Sequence, residues 1–255
     1  VSNVDMAEVR AWAREGGEMA KRYFNNVARE LKADQSWVTQ ADVEVEQMLR
    51  ERITQRYPDH GIMGEEQGVG EIDREYVWSL DPIDGTGAFV SGLPLWCVSI
   101  GLMHHGAPYL GVVYLPILDD YYWTDGQGTA YWNETPISVI DTDTIDDNDW
   151  LAVSSYAHRI FDISFPGKTR SLSSIAADIC YVARGSALGA LIAKAKLWDV
   201  AAAMAILHAA GGVVHLLSGP RVETDMLLDG RPMEEPCIAA APGMIKRLTS
   251  YVARR

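Results

Sequence analysis

Two periodicities alternate along this chain, and where they change marks its organisation. Residues 4–32 read as helix, with Ala20, Phe24, Val27 and Leu31 at helical spacing and Ser2 with Asp5 placed as a capping pair. Gly16-Gly17 interrupts the run. Each glycine costs about 1 kcal/mol against alanine, so a kink or break is expected there. Thr39, three residues before Asp42, opens a second helix with Val45, Met48, Leu49 and Ile53 on one face, ending at Tyr57-Pro58. The period then shortens. An apolar stretch at His60–Met63 leads into Gly64-Glu65-Glu66, and a strand at Val77–Leu80 delivers Asp81, stopping at Pro82, which has no N–H for a sheet ladder. Trp96, Val98, Ile100 and Leu102 alternate up to a His105-Gly106 turn, and Leu110–Leu115 returns. Tyr121–Trp123 and Ala130–Trp132 flank an Asp125–Gly128 turn, and Pro136–Ile140 is a further strand.

The second half begins after an acidic stretch, Asp141–Asp149. It fails the calcium-loop pattern, with Ile145 and Asp146 at the third ligand and glycine positions, and reads as a solvated linker. Strands at 150–154, 179–183, 212–216 and 237–240 then alternate with helices at 173–177, 186–195, 200–210 and 242–253, as in an α/β layer. The expected organisation is one domain over residues 1–255, with sub-halves 1–145 and 146–255.

Composition narrows the function classes. The 255 residues are 48% hydrophobic, ample for a packed core, and the formal net charge is −13. No basic stripe is present, which argues against nucleic acid as a partner. An acidic protein attracts a phosphate substrate only when bound cations invert the local field. Cys97, Cys180 and Cys237 are odd in number and widely spaced, pointing to buried thiols in a reducing, cytoplasmic setting rather than to disulfides. The longest apolar stretch, 197–214, is broken by Asp199 and His208, so no membrane span is expected. The chain starts at Val1 rather than Met, so its native start is expected upstream.

The chemistry concentrates at Asp81-Pro82-Ile83-Asp84-Gly85-Thr86. Two carboxylates, the Ile83 carbonyl and a Gly-Thr amide pair within six residues suit a hard cation holding an anion; oxygen donors favour magnesium, manganese or calcium over zinc. Taken alone the segment also fits an ordinary strand-to-turn corner. By the same standard Glu65-Glu66 fits a solvated turn, Thr39 and Asp42 fit helix caps, and Asp199 in Trp198-Asp199 fits an N-cap. No H-E-x-x-H zinc pattern occurs, and Ser154-Ser155 and Ser173-Ser174 lack the setting of a nucleophile elbow.

In combination, Gly64-Glu65-Glu66, Asp81–Thr86 and Trp198-Asp199, with the Lys32–Asp42 segment, resemble the inositol monophosphatase family, the lithium-sensitive, magnesium-dependent phosphatases that include fructose-1,6-bisphosphatases. The resemblance spans about residues 5–250. It implies an α/β (α+β) fold, a five-layered αβαβα sandwich, in a homodimer. It implies that Glu65, Asp81, Asp84, Asp199 and the Ile83 carbonyl hold two or three Mg2+, with Mn2+ as a substitute. Gly85 and Thr86 would bind phosphate together with Asp84 and Asp199. Glu66 and Lys32 would support the site, Thr39 and Asp42 would orient or deprotonate water near Thr86, and Gly185-Ser186-Ala187 would lie beside the substrate. Two divalent ions neutralise four carboxylates; a third leaves the site positive. Helix starts after Gly85, Gly185 and Asp199 are expected to aim at one anion. The implied reaction is attack of a metal-activated water on a phosphate monoester, with no phosphorylated residue.

Two departures bear on the substrate. The family commonly has Asn two residues after the Gly-Thr pair, where this chain has Ala88; inositol-specific members carry an acid seven residues before the Asp of Trp-Asp, where this chain has Ile192. The following Ala193-Lys194-Ala195-Lys196 is basic, which suits a second anionic group on the substrate or simply a solvated helix end. Inositol monophosphate, histidinol phosphate, fructose 1,6-bisphosphate and a nucleotide 3′-phosphate remain open, as does a non-catalytic metal- or phosphate-binding role. A haloacid-dehalogenase-type phosphatase is disfavoured, because two residues separate Asp81 and Asp84 where that chemistry needs one.

Overall fold

A computed structural model describes residues 4–26, 29–31 and 37–255. In chain order, helix α1 (Met6–Lys21) is followed by a small hairpin of β1 (Arg29–Leu31) and β2 (Trp37–Thr39), then helix α2 (Gln40–Arg56). Strands β3 (Gly61–Gly64), β4 (Gly68–Val69) and β5 (Tyr76–Asp84) precede the short helix α3 (Thr86–Val90). A meander of β6 (Cys97–His104), β7 (Ala107–Leu115), β8 (Asp120–Thr124), β9 (Ala130–Trp132) and β10 (Thr135–Ile137) completes an eight-stranded sheet, ordered β10-β9-β8-β7-β6-β5-β3-β4. Only β3 and β5 run parallel in it. The acidic stretch that follows is irregular, as the sequence predicts.

The second half comprises β11 (Trp150–Val153), α4 (Ala157–Ile160), β12 (Phe161–Ile163), β13 (Lys168–Arg170), α5 (Ile175–Ala183), β14 (Gly189–Ile192), α6 (Leu197–Ala209), β15 (Val213–Leu216), β16 (Cys237–Ala240), α7 (Ile245–Thr249) and β17 (Val252–Arg254). Five of its strands form a mixed sheet ordered β13-β11-β14-β16-β15. Among the described residues no helix is long and apolar enough to cross a membrane.

Strand alternation builds the layers. Trp78, Leu80, Val98, Ile100 and Leu102 face one way and pack on Val9, Trp12, Val45 and Leu49 of α1 and α2. Val77, Cys97, Met103 and Val113 face the other way, onto α5 and α6. Those helices are sandwiched against Ala152, Ala190, Ile192 and Ala239 of the second sheet. The far side of that sheet, Leu151, Leu191 and Ile238, is covered by Ala157, Ile245 and Leu248 of α4 and α7. The result is the expected five-layered αβαβα sandwich.

Several sequence expectations are corrected. The first helix ends at Lys21, and it runs unbroken through Gly16 and Gly17. These glycines are packing contacts: a Cβ on Gly16 would meet Val45 at 2.9 Å, and one on Gly17 would meet Tyr114 and Pro116 at 2.7 Å. Asp5 caps α1, accepting from the Ala7 N–H at 2.9 Å; Ser2, Val27 and Lys32 lie outside the described residues. Strand β5 continues past Pro82 to Asp84 through an irregularity in its pairing with β6. The expected strand at 179–183 is the end of helix α5, and the expected helix at 186–195 contains strand β14. Both segments lie between or within buried layers, so neither carries the polar face that reveals a period. β-branched and aromatic residues in Ile179–Ala183 then mimic a strand, and Ala-rich 186–195 mimics a helix, until tertiary packing overrides propensity. The C-terminal helix is shortened to α7, and β17 pairs with β12 instead of extending it.

One contact fixes the depth of the middle layer. Gly101 and Gly111 stand opposite each other on β6 and β7, directly under α6. A Cβ on Gly101 would lie 2.8 Å from the Ala202 nitrogen, and one on Gly111 would press on the Ala202 carbonyl oxygen. We expect Gly111→Val to lower stability by about 3 kcal/mol, at the upper end of overpacking costs, because backbone must move. Chemical denaturation of the variant beside the parent measures this.

Candidate active site

The inward face of β5 carries Asp81 to the level where the middle helices begin, and this meeting point assembles the carboxylates. β3 runs parallel beside β5, so both strand ends arrive together: the Glu65 N–H donates to the Leu80 carbonyl at 3.2 Å. The turn that presents Glu65 rests on a residue of α2. Glu46, fully buried, accepts from the Glu66 N–H at 2.7 Å and the Gln67 N–H at 3.0 Å, while Arg50 donates to it at 2.8 Å. Gly64 makes room, since a Cβ there would lie 2.5 Å from that carboxylate.

Asp81 turns its Oδ1 to accept the Ile83 N–H at 3.1 Å. Asp84 is gripped from the other half of the chain: Ser174 Oγ donates to Oδ2 at 2.5 Å, the Ala176 N–H at 2.7 Å, and the Ile175 N–H reaches Oδ1 at 3.3 Å. These amides belong to the first turn of α5, where no intrahelical acceptor exists. Asp199 accepts the Lys196 N–H at 2.7 Å. Lys196 is therefore the N-cap of α6, and Asp199 sits in its first turn rather than capping it as expected.

Beside this group, Asp42 is fully buried at the start of α2. Its Oδ2 accepts from the Thr39 N–H at 2.9 Å and Thr39 Oγ1 at 2.5 Å, which is a capping arrangement. Its Oδ1 lies 3.4 Å from Thr86 Oγ1, which donates also to the Ile83 carbonyl at 3.0 Å. Capping and a contact with Thr86 thus coexist. Gly85 has φ 91°, and a Cβ on it would strike the Ser173 carbonyl at 2.9 Å, so the turn into α3 needs glycine.

The structure thus brings Glu65, Asp81, Asp84, Asp199, Thr86, Asp42 and Thr39 to one place, with Glu66 on the same turn as Glu65. It does not bring Gly185, Ser186 and Ala187 there. They close the C-terminal end of α5, where the Ser186 and Ala187 N–H groups donate to the Tyr181 carbonyl and Arg184 donates to Ser186 Oγ. The nine-residue α5 spans about 13 Å, so this end is remote from Asp84. No helix starts after Gly185; the α5 start at Ser174 takes that position at the site. Sequence reasoning missed Ser173, Ser174 and Glu46. The available signals were Ser174 three residues before Ala177, a cap whose Oγ accepts that N–H at 3.0 Å, and the i,i+4 pair Glu46–Arg50 on an otherwise buried helix face.

Electrostatics set these groups apart from a structural network. Burial pushes the Asp81 carboxyl well above its usual range, and the nearby Glu65, Asp84, Asp199 and Asp42 push it further. Burial raises Asp84 to about 6 even though Ser174, Ala176 and Ile175 donate to it. Burial and then Asp84 raise Asp199 to about 8 against the pull of the Lys196 N–H. Like charges crowded this closely, with Lys196 acting on Asp199 too weakly to keep its carboxyl from rising, call for cations. The donors are all oxygen, which fits magnesium. Among the described residues no three of these carboxylates place an oxygen within 4.8 Å of one another.

Residues 2–253 match the family described as the Inositol monophosphatase family. The chain is 31% identical over 245 residues to an Aquifex aeolicus protein named fructose-1,6-bisphosphatase/inositol-1-monophosphatase, covering 91% of this chain and 92% of that one. It is 31% identical over 257 residues to the Nus factor SuhB of Pasteurella multocida, covering 96% and 93%. The solved structure of a Thermotoga maritima IMPase superposes with a TM-score of 0.83 at 25% identity over 96% of each chain.

The raised carboxyls make stability depend on pH and cations together. In the unfolded chain Asp84 and Asp199 ionise near 3.8, whereas in the cation-free fold they hold protons to about 6 and about 8. Their contribution is fully present below about pH 4 and is lost as pH rises through the folded values, because the unfolded state gives up protons first. In chelator the melting temperature is expected to fall between pH 5 and pH 8.5, and added magnesium to raise it more at pH 8.5 than at pH 5. Thermal scans at the two pH values read this directly.

Proposed function

Since the chain belongs to the inositol monophosphatase family, we propose that it is a magnesium-dependent phosphatase hydrolysing the monoester of a small polyol or sugar-type phosphate, with inositol monophosphate as one candidate. The observation that carries the reading is the meeting of Asp81, Asp84 and Asp199, from both halves of the chain, beside a Thr86–Asp42–Thr39 hydrogen-bond chain.

In this reading Glu65, Asp81, Asp84, Asp199 and the Ile83 carbonyl hold the ions. When bound, magnesium supplies the positive charge that activates water and stabilises the leaving oxygen in an in-line displacement. The N–H groups of Gly85 and Thr86, in the first turn of α3, face an anion without intrahelical partners. Thr86 Oγ1 orients the attacking water by accepting its proton in a hydrogen bond while donating to Asp42 Oδ1 or to the Ile83 carbonyl. Asp42 Oδ1 would take up the proton that leaves the water by way of Thr86 Oγ1, and Thr39 keeps that carboxylate in place through Oδ2. A homodimer is the assembly this family membership supports.

The substrate side of the site departs from an inositol-specific one. Ile192 is buried within β14, paired with Cys237, and offers no acid to sugar hydroxyls. Lys194, two residues on, is exposed, and Lys196 Nζ lies 4.9 Å from the Trp198 ring. A lysine beyond the strand end favours a substrate with a second anionic group, in keeping with the double name of the Aquifex relative.

A panel of phosphate esters assayed with magnesium, with and without lithium, tests the proposal. Asp81→Asn is expected to lower kcat by about 10²-fold or more, the scale of losing a charge-stabilising group, and Thr86→Ala by about 10²-fold, with far-UV circular dichroism unchanged. Magnesium binding with no turnover of any ester would instead support the non-catalytic reading. For the substrate, Lys194→Ala is expected to lower kcat/KM for a bisphosphate relative to a monophosphate; an unchanged ratio, with Lys196→Ala as a second variant, removes the lysines from recognition.

A further inference from the structure

The start of β5 carries a second cluster whose chemistry differs from that of the acidic cage. Glu75 immediately precedes β5, His104 ends β6, and His105 opens the β6–β7 turn. Neighbouring residues in a strand point to opposite faces. Here His105 adopts φ 48°, in the left-handed region, which folds its ring back beside that of His104, with centroids 4.4 Å apart. The turn is anchored to Glu75, whose carbonyl accepts the His105 N–H at 2.9 Å. Glu75 Oε1 then lies 3.2 Å from His104 Nε2 and 4.0 Å from His105 Nε2. One ligand atom from each of the three residues lies within 4.8 Å of the others.

We propose that Glu75, His104 and His105 form a separate site for a zinc-class divalent cation. Tetrahedral zinc with bonds of 2.0–2.1 Å places its ligand atoms about 3.3 Å apart, close to the Glu75–His104 separation and within a small side-chain movement of the Glu75–His105 one. Two imidazoles and one carboxylate select zinc, nickel or copper over magnesium, the reverse of an all-oxygen cage. The His104 ring is pre-set by Tyr76, its ladder partner, which stacks on it at 4.6 Å and 12°. Tyr76 is in turn stacked on His60 at 5.0 Å. A ring held on its face by a packed column loses little freedom on taking up a metal. Glu75 and His105 are exposed, so a fourth position faces solvent.

The site stands apart from the acidic cage. Asp81 lies six steps of extended chain beyond Glu75, about 20 Å at strand rise. A cation here ties the β6–β7 turn to the start of the strand that carries Asp81 and Asp84, without touching the reacting groups. That turn is also bonded to the second half of the chain, since Thr224 Oγ1 donates to the Gly106 carbonyl at 2.7 Å.

The test uses the full chain saturated with magnesium, which occupies the all-oxygen sites. Zinc is titrated by calorimetry and cobalt by its visible d–d absorption. One zinc per chain is expected to bind, cobalt to show the strong absorption of four- or five-coordinate nitrogen-bearing sites, and His104→Gln with His105→Gln to weaken zinc about 10-fold or more and remove the band. Glu75→Gln is expected to weaken zinc in the same direction. Magnesium-dependent ester hydrolysis is expected to be unchanged in both variants. Zinc uptake that survives the double substitution, uptake lost instead in Asp81→Asn, or no uptake by the parent chain under saturating magnesium would overturn the proposal. Zinc uptake and the cobalt band do not depend on turnover, so a failure of the phosphatase reading leaves this outcome separately legible.

Discussion

One buried carboxylate, Asp84, ties the two sheets together. It lies at the end of β5 in the first sheet, yet its oxygens are bonded by Ser174, Ile175 and Ala176, about ninety residues on, and by the Cys97 thiol beside it at 3.7 Å. Hydrogen bonds to charged groups contribute about 1.5–3 kcal/mol each, so the grip is strong enough to fix how α5 enters the middle layer. The first turn of α5 needs acceptors and the buried carboxylate needs donors; each solves the other's problem.

The second middle helix obeys a steric rule rather than an electrostatic one. α6 presents Ala201 and Ala202 to a facing pair of glycines, so backbone approaches backbone. That close approach sets the height at which Asp199 emerges in the first turn. Neither Asp84 nor Asp199 is carried by a flexible loop. The acidic cage is placed by packing that extends through the core, and the crowding of charge that raises its carboxyls is the local cost of that placement.

Legibility from sequence followed exposure. Helix α2 was readable because one face is apolar and the other polar, and the β6–β7 hairpin because large apolar residues alternate with small ones, Cys97, Ser99 and Gly101, up to the His105-Gly106 turn. The gathering of Glu65, Asp81, Asp84 and Asp199 was legible through the family resemblance, with Glu65 and Asp81 each following an apolar strand and Asp199 near the start of an apolar helix. The α5 and β14 segments were not, since elements enclosed on all sides carry no contrast between faces. The resemblance carried the ligand-facing stretch to Gly185–Ala187, at the wrong end of α5, and the unread start of that helix hid Ser174. Gly16-Gly17 misled for a related reason: the helix penalty of glycine was visible in the sequence, while the Tyr114 and Pro116 side chains that require it were not. Glu46 was hidden because a buried glutamate with an arginine one turn away looks like any helical ion pair until the Glu66 and Gln67 amides appear above it.

Helix α2 holds Asp42 in its first turn and Glu46 one turn later, and the two reach different parts of the acidic cluster. Residues four apart lie on one face of a rigid rod. The carboxylate beside Thr86 and the support beneath Glu65 are therefore geared: a tilt or slide of this one helix displaces both together and preserves the spacing between them. Drift in the outer layer would translate the assembly as a unit, and adjustment to differently shaped esters falls to the opposite wall, built by the second half of the chain.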